Sequence, residues 1–264
     1  MANASARNPF AAGWQFRELF RQLVIRNLKV RYQRSGLGFL WLLVNPVLAV
    51  VILVVVFGEI VRLDVPHYWA FLISGYFAWV FVLHTLSTSV FVIPEHATMA
   101  KSVAVPADVF VLAATTSRLI EFVVEIGLVA VLLAVFHHRA LPPSFLLLPL
   151  LTVLLLLLTL GLALPAVALS VFFRDLQHAL PAALMMLMYV SPVFYPSDLV
   201  PSRLSTIYFL NPVALVITLF HEALYAGRMP SLLHLLAATG VAIAVYLVGY
   251  DIFRRKRDLF PEIV

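Results

Sequence analysis

Six nearly uncharged apolar runs, at 39–58, 68–93, 109–136, 145–173, 176–195 and 231–250, fill most of this 264-residue chain. Each has about 20 residues or more, which is the length a helix needs to cross a hydrocarbon core about 30 Å thick. A soluble core of this size has no use for six such runs. Only 12% of the residues are charged, against about 25% in soluble domains. The pattern predicts an all-α polytopic membrane protein, in which the few polar groups at membrane depth carry unusual weight.

Charge placement predicts the orientation. With the amino terminus in the cytoplasm, the inner side receives Arg7, Arg17, Arg21, Arg26, Lys29, Arg31, Arg34, Lys101, Arg174 and the 254–257 cluster. The outer side receives Arg62, Arg139, Arg203 and Arg228. This split of 13 to 4 is strongly positive-inside. The net charge of +5 therefore speaks of a membrane surface and not of nucleic acid. A further apolar segment, 204–226, would reverse the carboxyl terminus if it crossed. Asn211-Pro212 interrupts it, and an internal proline removes a helix hydrogen bond. The segment is expected to form two short helices that dip into the outer half and return, as buried irregular backbone allows.

Taken with their flanks, the spans are 39–60, 68–93, 107–136, 145–173, 176–195 and 231–253, in a single domain covering 1–264. Residues 14–34 interleave bulky apolar side chains with cations at helical spacing and predict an amphipathic helix in the membrane interface. Membrane lipids are its expected partner. Ser35-Gly36-Leu37-Gly38 ends that helix. The inner loop 94–106 is polar, bounded by prolines, and long enough for a short helix. The leucine-dominated fourth span is expected to face lipid. Gly240 and Ala244 form a small-xxx-small pair, a packing signal diluted by the alanine-rich context. The start of the chain has no short apolar core followed by a small-residue cleavage site, so no cleaved signal peptide is expected.

Arg118, Glu121 and Glu125 share the third span. Arg118 and Glu121 are three apart on one helical face. Such charges either fix packing through ion pairs or form a polar wall beside a pathway, with a proton relay as a third option. The chain has no cysteine, which removes disulfides and thiolate metal sites. It has no GxxxxGK, HExxH or GxSxG sequence, and its eight histidines are scattered, with only His137 and His138 adjacent. No metal and no catalytic residues are expected. A transporter without an ATPase of its own must use an ion gradient or borrow an ATPase from another chain.

Several stretches together resemble one family. Arg31-Tyr32-Gln33-Arg34-Ser35-Gly36-Leu37-Gly38-Phe39-Leu40-Trp41 with Pro46 is similar to the amino-terminal signature of ABC type-2 exporter permeases, in particular the branch exporting polysaccharides and polyol phosphates. Phe173-Arg174-Asp175 with Pro181, followed by Ser191-Pro192-Val193-Phe194-Tyr195-Pro196, resembles the second signature, and Asn211-Pro212 a third. Lys101-Ser102-Val103-Ala104-Val105-Pro106 resembles the inner-loop motif, with Ala104-Val105 in place of its commoner aromatic. The matches run in order from about Arg17 to Arg257.

The resemblance implies a half-transporter of the bacterial inner membrane. A homodimer would form the channel, with two copies of a separate ABC ATPase, which binds ATP and Mg, beneath it. This chain would bind no cofactor itself. The substrate implied is a lipid-linked polysaccharide such as O-antigen, capsule or teichoic acid. Glu95, His96, Thr98, Lys101 and Ser102 would couple to the ATPase. Arg26, Lys29, Arg31, Tyr32 and Arg34 would gate the inner mouth and contact the lipid pyrophosphate. Trp41, Phe57, Tyr189, Phe194 and Tyr195 would line the channel, aromatic faces suiting the C–H faces of sugars. Asn211 and Pro212 would belong to an outer re-entrant gate segment, 197–229. The alternatives are the same scaffold for drug or lipid efflux, a gradient-driven carrier using Arg118, Glu121 and Glu125, and an intramembrane glycan polymerase, which two glutamates support only thinly.

Overall fold

A computed structural model describes residues 16–32, 36, 38–95, 105–138, 140–203, 208 and 210–257. Among these residues the fold is helical throughout. Helix α1 spans Arg17–Tyr32, α2 Trp41–Ile60, α3 Tyr68–Glu95, α4 Ala107–His138, α5 Pro143–Phe172, α6 Leu176–Tyr189, α7 Pro212–Tyr225 and α8 Leu232–Arg257. Five of them, α2 to α5 and α8, are long and apolar enough to cross a membrane. The protein is a polytopic all-α membrane protein. Gly38 opens the turn into α2 with φ +53°, a left-handed conformation that glycine adopts without a side-chain clash.

The predicted span 176–195 is helical over its first 14 residues and then breaks into turns from Val190 to Tyr195. Pro192 has no N–H to continue the ladder. A helix begins at Asn211-Pro212, and 204–207 and 209 of the expected first short helix lie outside the described residues. Asn211 caps α7, accepting a hydrogen bond from the Val213 N–H at 3.0 Å, and Pro212 takes the first helical position.

The leucine helix corrects the expectation that it faces lipid. In α5, Leu151, Leu154, Leu155 and Leu158 are all buried. The helix packs against α3 and α8 in the middle of the bundle. Leucine fits hydrocarbon and protein interior equally well, so composition alone does not separate the two. The small-residue contact also falls elsewhere than Gly240 and Ala244. A Cβ on Gly161 would meet the backbone of Val245 and Tyr246, and one on Gly249 would meet the Gly161 carbonyl, so α5 and α8 touch through their main chains. Gly240 has open space around it.

Two apolar cores result. One joins α3, α4, α5 and α7 through Trp79, Phe122, Leu155 and Phe220. The other gathers Leu23 and Val24 of α1, Ile93, Val109 and Phe110, Val167 of α5 and Phe253 of α8. This second core marks the end of the bundle that carries the 254–257 cations, called here the basic end. By contrast α2, α6 and α8 leave apolar faces uncovered, with Leu48, Val51 and Ile52 on the first, Met185 and Met186 on the second and Leu233, Leu236 and Leu247 on the third.

Candidate functional site

At the basic end, α1 lies against α4 and leaves a cleft of about 360 Å³ bounded by α1, α3 and α4. Arg26, Asn27 and Arg31 reach it from α1, Thr88 and Glu95 from α3, and Arg118 from α4. Val30, Phe91, Val92 and Ala114 supply its apolar wall. Glu121 ties the wall together. Arg31 donates to one oxygen of its carboxylate, and Arg118 donates to the other at 3.1 Å. The Glu121 side chain is 5% exposed, that of Arg118 12% and that of Arg31 28%. A charge buried to this degree is stable only with a partner, and here one carboxylate serves two guanidinium groups from different helices.

The cleft therefore combines residues expected to have separate roles: Arg26 and Arg31 as phosphate contacts, Glu95 as a coupling residue and Arg118 as an intramembrane charge. Lys29 lines an adjoining shallow surface with Gln22 and Ile25, which shares Arg26 and Val30 with the cleft. Tyr32 ends α1. Glu125 is buried one turn beyond Glu121. Arg34, His96, Thr98, Lys101 and Ser102 lie outside the described residues. The first residues after that loop are tied to the end of the chain's last helix, because Arg257 donates to Asp108 at 2.7 Å.

The expected channel aromatics divide into two places. Phe57 stacks on Phe194 with centroids 5.4 Å apart, and Tyr189 tilts onto Phe194 at 5.8 Å. The Tyr195 hydroxyl donates to the Tyr189 carbonyl at 2.7 Å. Trp41 starts α2, about 24 Å from Phe57 at the helical rise. Within the cluster Phe194 is only 3% exposed, so its ring is spent on packing, whereas Tyr189 is 53% exposed.

At the opposite end a set of neutral hydrogen bonds fastens α7 to its surroundings. Asn211 donates to the Ser191 hydroxyl at 2.8 Å. His221 is buried, with its Nε2 2.7 Å from the Pro192 carbonyl and its Nδ1 2.7 Å from the Ser74 hydroxyl. Its ring stacks on Phe71 at 4.1 Å, and Gly75 leaves room for it, since a Cβ there would strike the imidazole. Tyr68 donates to the Phe194 carbonyl at 2.8 Å. The last carbonyls of α7, which a helix cannot satisfy itself, bond to side chains. Ser144 donates to Ala223 at 2.7 Å, His138 bonds Leu224 at 2.7 Å, and His137 bonds Tyr225 at 3.1 Å. Sequence reasoning singled out Asn211 and Pro212 here but missed Ser74, His221 and Tyr68. The available signal was a polar side chain in an apolar run.

A family model described as ABC-2 type transporter matches residues 18–225. The chain is 30% identical to an O-antigen export system permease protein RfbA of Klebsiella pneumoniae over 93% of its length and 96% of the relative's. It is 29% identical to the protein of the same description in Myxococcus xanthus, over 94% and 96% of the two chains. It is 25% identical to a polysialic acid transport protein KpsM of Escherichia coli, over 89% and 92%.

Proposed function

Because the chain belongs to the ABC-2 type transporter family, we propose that it is the membrane-spanning subunit of an ATP-driven exporter that moves a lipid-linked polysaccharide across the bacterial inner membrane. Two copies form the channel, and two copies of a separate ABC ATPase bind ATP and Mg beneath them. The basic end faces the cytoplasm, in keeping with the charge bias of the loops.

The observation that carries this reading is the arginine-lined cleft under α1, in a chain similar along nearly its whole length to O-antigen export permeases. A lipid diphosphate needs forked cationic donors at the leaflet where it enters, and guanidinium groups supply them. Arg26 and Arg31 act there, with Lys29, Tyr32 and Arg34 at the mouth. Glu95, His96, Thr98, Lys101 and Ser102 transmit closure of the ATPase dimer to the bundle. Trp41, Phe57, Tyr189 and Tyr195 offer ring faces to the passing glycan, with Phe194 packed behind them. Asn211 and Pro212 position the outer gate.

Co-expression with a candidate ABC ATPase partner, purification and reconstitution test the proposal. ATP-dependent movement of a lipid-linked glycan into vesicles is expected, and a cysteine at Thr98 should crosslink to the ATPase in this otherwise cysteine-free chain. Transport by this polypeptide without any companion would overturn it.

A further inference from the structure

Resting on that reading, the geometry points to Arg118 as a third phosphate-binding residue, held in place before substrate arrives by Glu121 acting as a placeholder anion. The two oxygens of Glu121 are used by different guanidinium groups, one from α1 and one from α4. That arrangement presets the two groups, one from each side, in a cleft that Arg26 and Asn27 of α1 and Thr88 and Glu95 of α3 also line. Presetting lowers the ordering cost of binding an anion. Val30 and Phe91, both exposed, flank the cleft and suit an apolar chain attached to that anion.

A diphosphate carries more charge than a carboxylate and offers oxygens on several sides. It can take Arg31 from Glu121 and be held between α1 and α4, while Arg118 stays on its own helix. Glu121 thus reserves the site when it is empty and yields it when it is filled. Exchange replaces the direct Arg31 link between α1 and α4 with one through the phosphate, so binding changes the spacing of α1 and α4.

The test uses the full chain with its ATPase in nanodiscs and geranylgeranyl diphosphate as probe. Inorganic pyrophosphate separates a free anion from a lipid head group. Gln22→Cys and Ile120→Cys carry spin labels that report the spacing of α1 and α4. The probe should bind saturably and change that spacing. Arg118→Gln should weaken binding about tenfold or more, the worth of a charge-assisted contact, and Arg118→Lys should recover part of it. Glu121→Gln should bind the probe at least as tightly as the wild type, with α1 already loosened in its absence. Response to the prenyl compound alone assigns a lipid head group, and equal response to pyrophosphate assigns a free diphosphate; either supports the site. Unchanged affinity in both Arg118 variants overturns the inference, as does a Glu121→Gln loss equal to that of Arg118→Gln. If affinity is unchanged in those variants while the wild-type complex still exports, the exporter reading stands and only this inference falls. If the wild type binds the probe but exports nothing, the reverse holds.

Discussion

The two ends of the bundle are held together by different chemistry. At the basic end the links between helices are ionic: Arg31 and Arg118 on Glu121, and Arg257 on Asp108. At the opposite end most are neutral hydrogen bonds, many onto main-chain carbonyls: His221 to Pro192, Tyr68 to Phe194, Ser144 to Ala223; Glu222, 3.4 Å from His234 of α8 and 3.8 Å from Arg228, is the exception there. Neutral bonds in a buried site are fixed by geometry and have no soluble competitor. Ion pairs at a partly open cleft can be exchanged for another anion. One end is thus built to hold a shape, and the other to trade partners.

Breaking the neutral end should have the largest effect. His221→Ala removes two hydrogen bonds and the Phe71 stack and leaves a buried void. The expected loss is about 3 kcal/mol, read as a lowered midpoint of thermal unfolding, and it should not depend on salt. A loss that shrank with added NaCl would erase the contrast between the two ends.

Next comes the ionic end. Asp108→Asn strips the charge partner of Arg257, and both side chains are largely shielded from water. About 2 kcal/mol should be lost. Exchanging the pair, with Asp108→Arg and Arg257→Asp together, should restore much of it. Failure of the exchange would mean that packing of Phe253, and not charge, fastens α8 there.

Asn211→Ala sharpens the comparison within the neutral end. It removes the cap of α7 and the bond to Ser191. A lost cap costs about 1 kcal/mol, so the variant should remain folded and membrane-inserted. If Asn211 helps position an outer gate, export should fall more steeply than stability.

What the sequence disclosed follows the same division. Long apolar runs are legible because a bilayer demands a fixed length, and Arg118 with Glu121 was legible because three residues make a helical face. The Arg31 bond to Glu121 joins residues 90 apart, and spacing does not announce such a pair. His221 was harder still. One of its partners, Ser74, is 147 residues away, and the other is a main-chain carbonyl that no residue identity reports. Leu154 and Leu155 misled because hydrophobicity is the same toward lipid and toward protein. The turn at 190–195 cut short a predicted span because the apolar run continued past Pro192, where the helix could not.

The smallest effect belongs to a control on α1 itself. Arg21 lies 4.0 Å from Glu18, but their side chains are 72% and 66% exposed. Water and salt screen such a pair, and its worth is about 0.3 kcal/mol or less. Arg21→Gln should therefore leave the melting midpoint within error. Arg31→Gln, ten residues along the same helix, removes one of the two guanidinium partners of a carboxylate that is 5% exposed and should lower the midpoint clearly. Equal effects would show that α1 is held by general attraction to an anionic surface. Unequal effects would place its ionic hold at Glu121, the contact that the proposed diphosphate would displace.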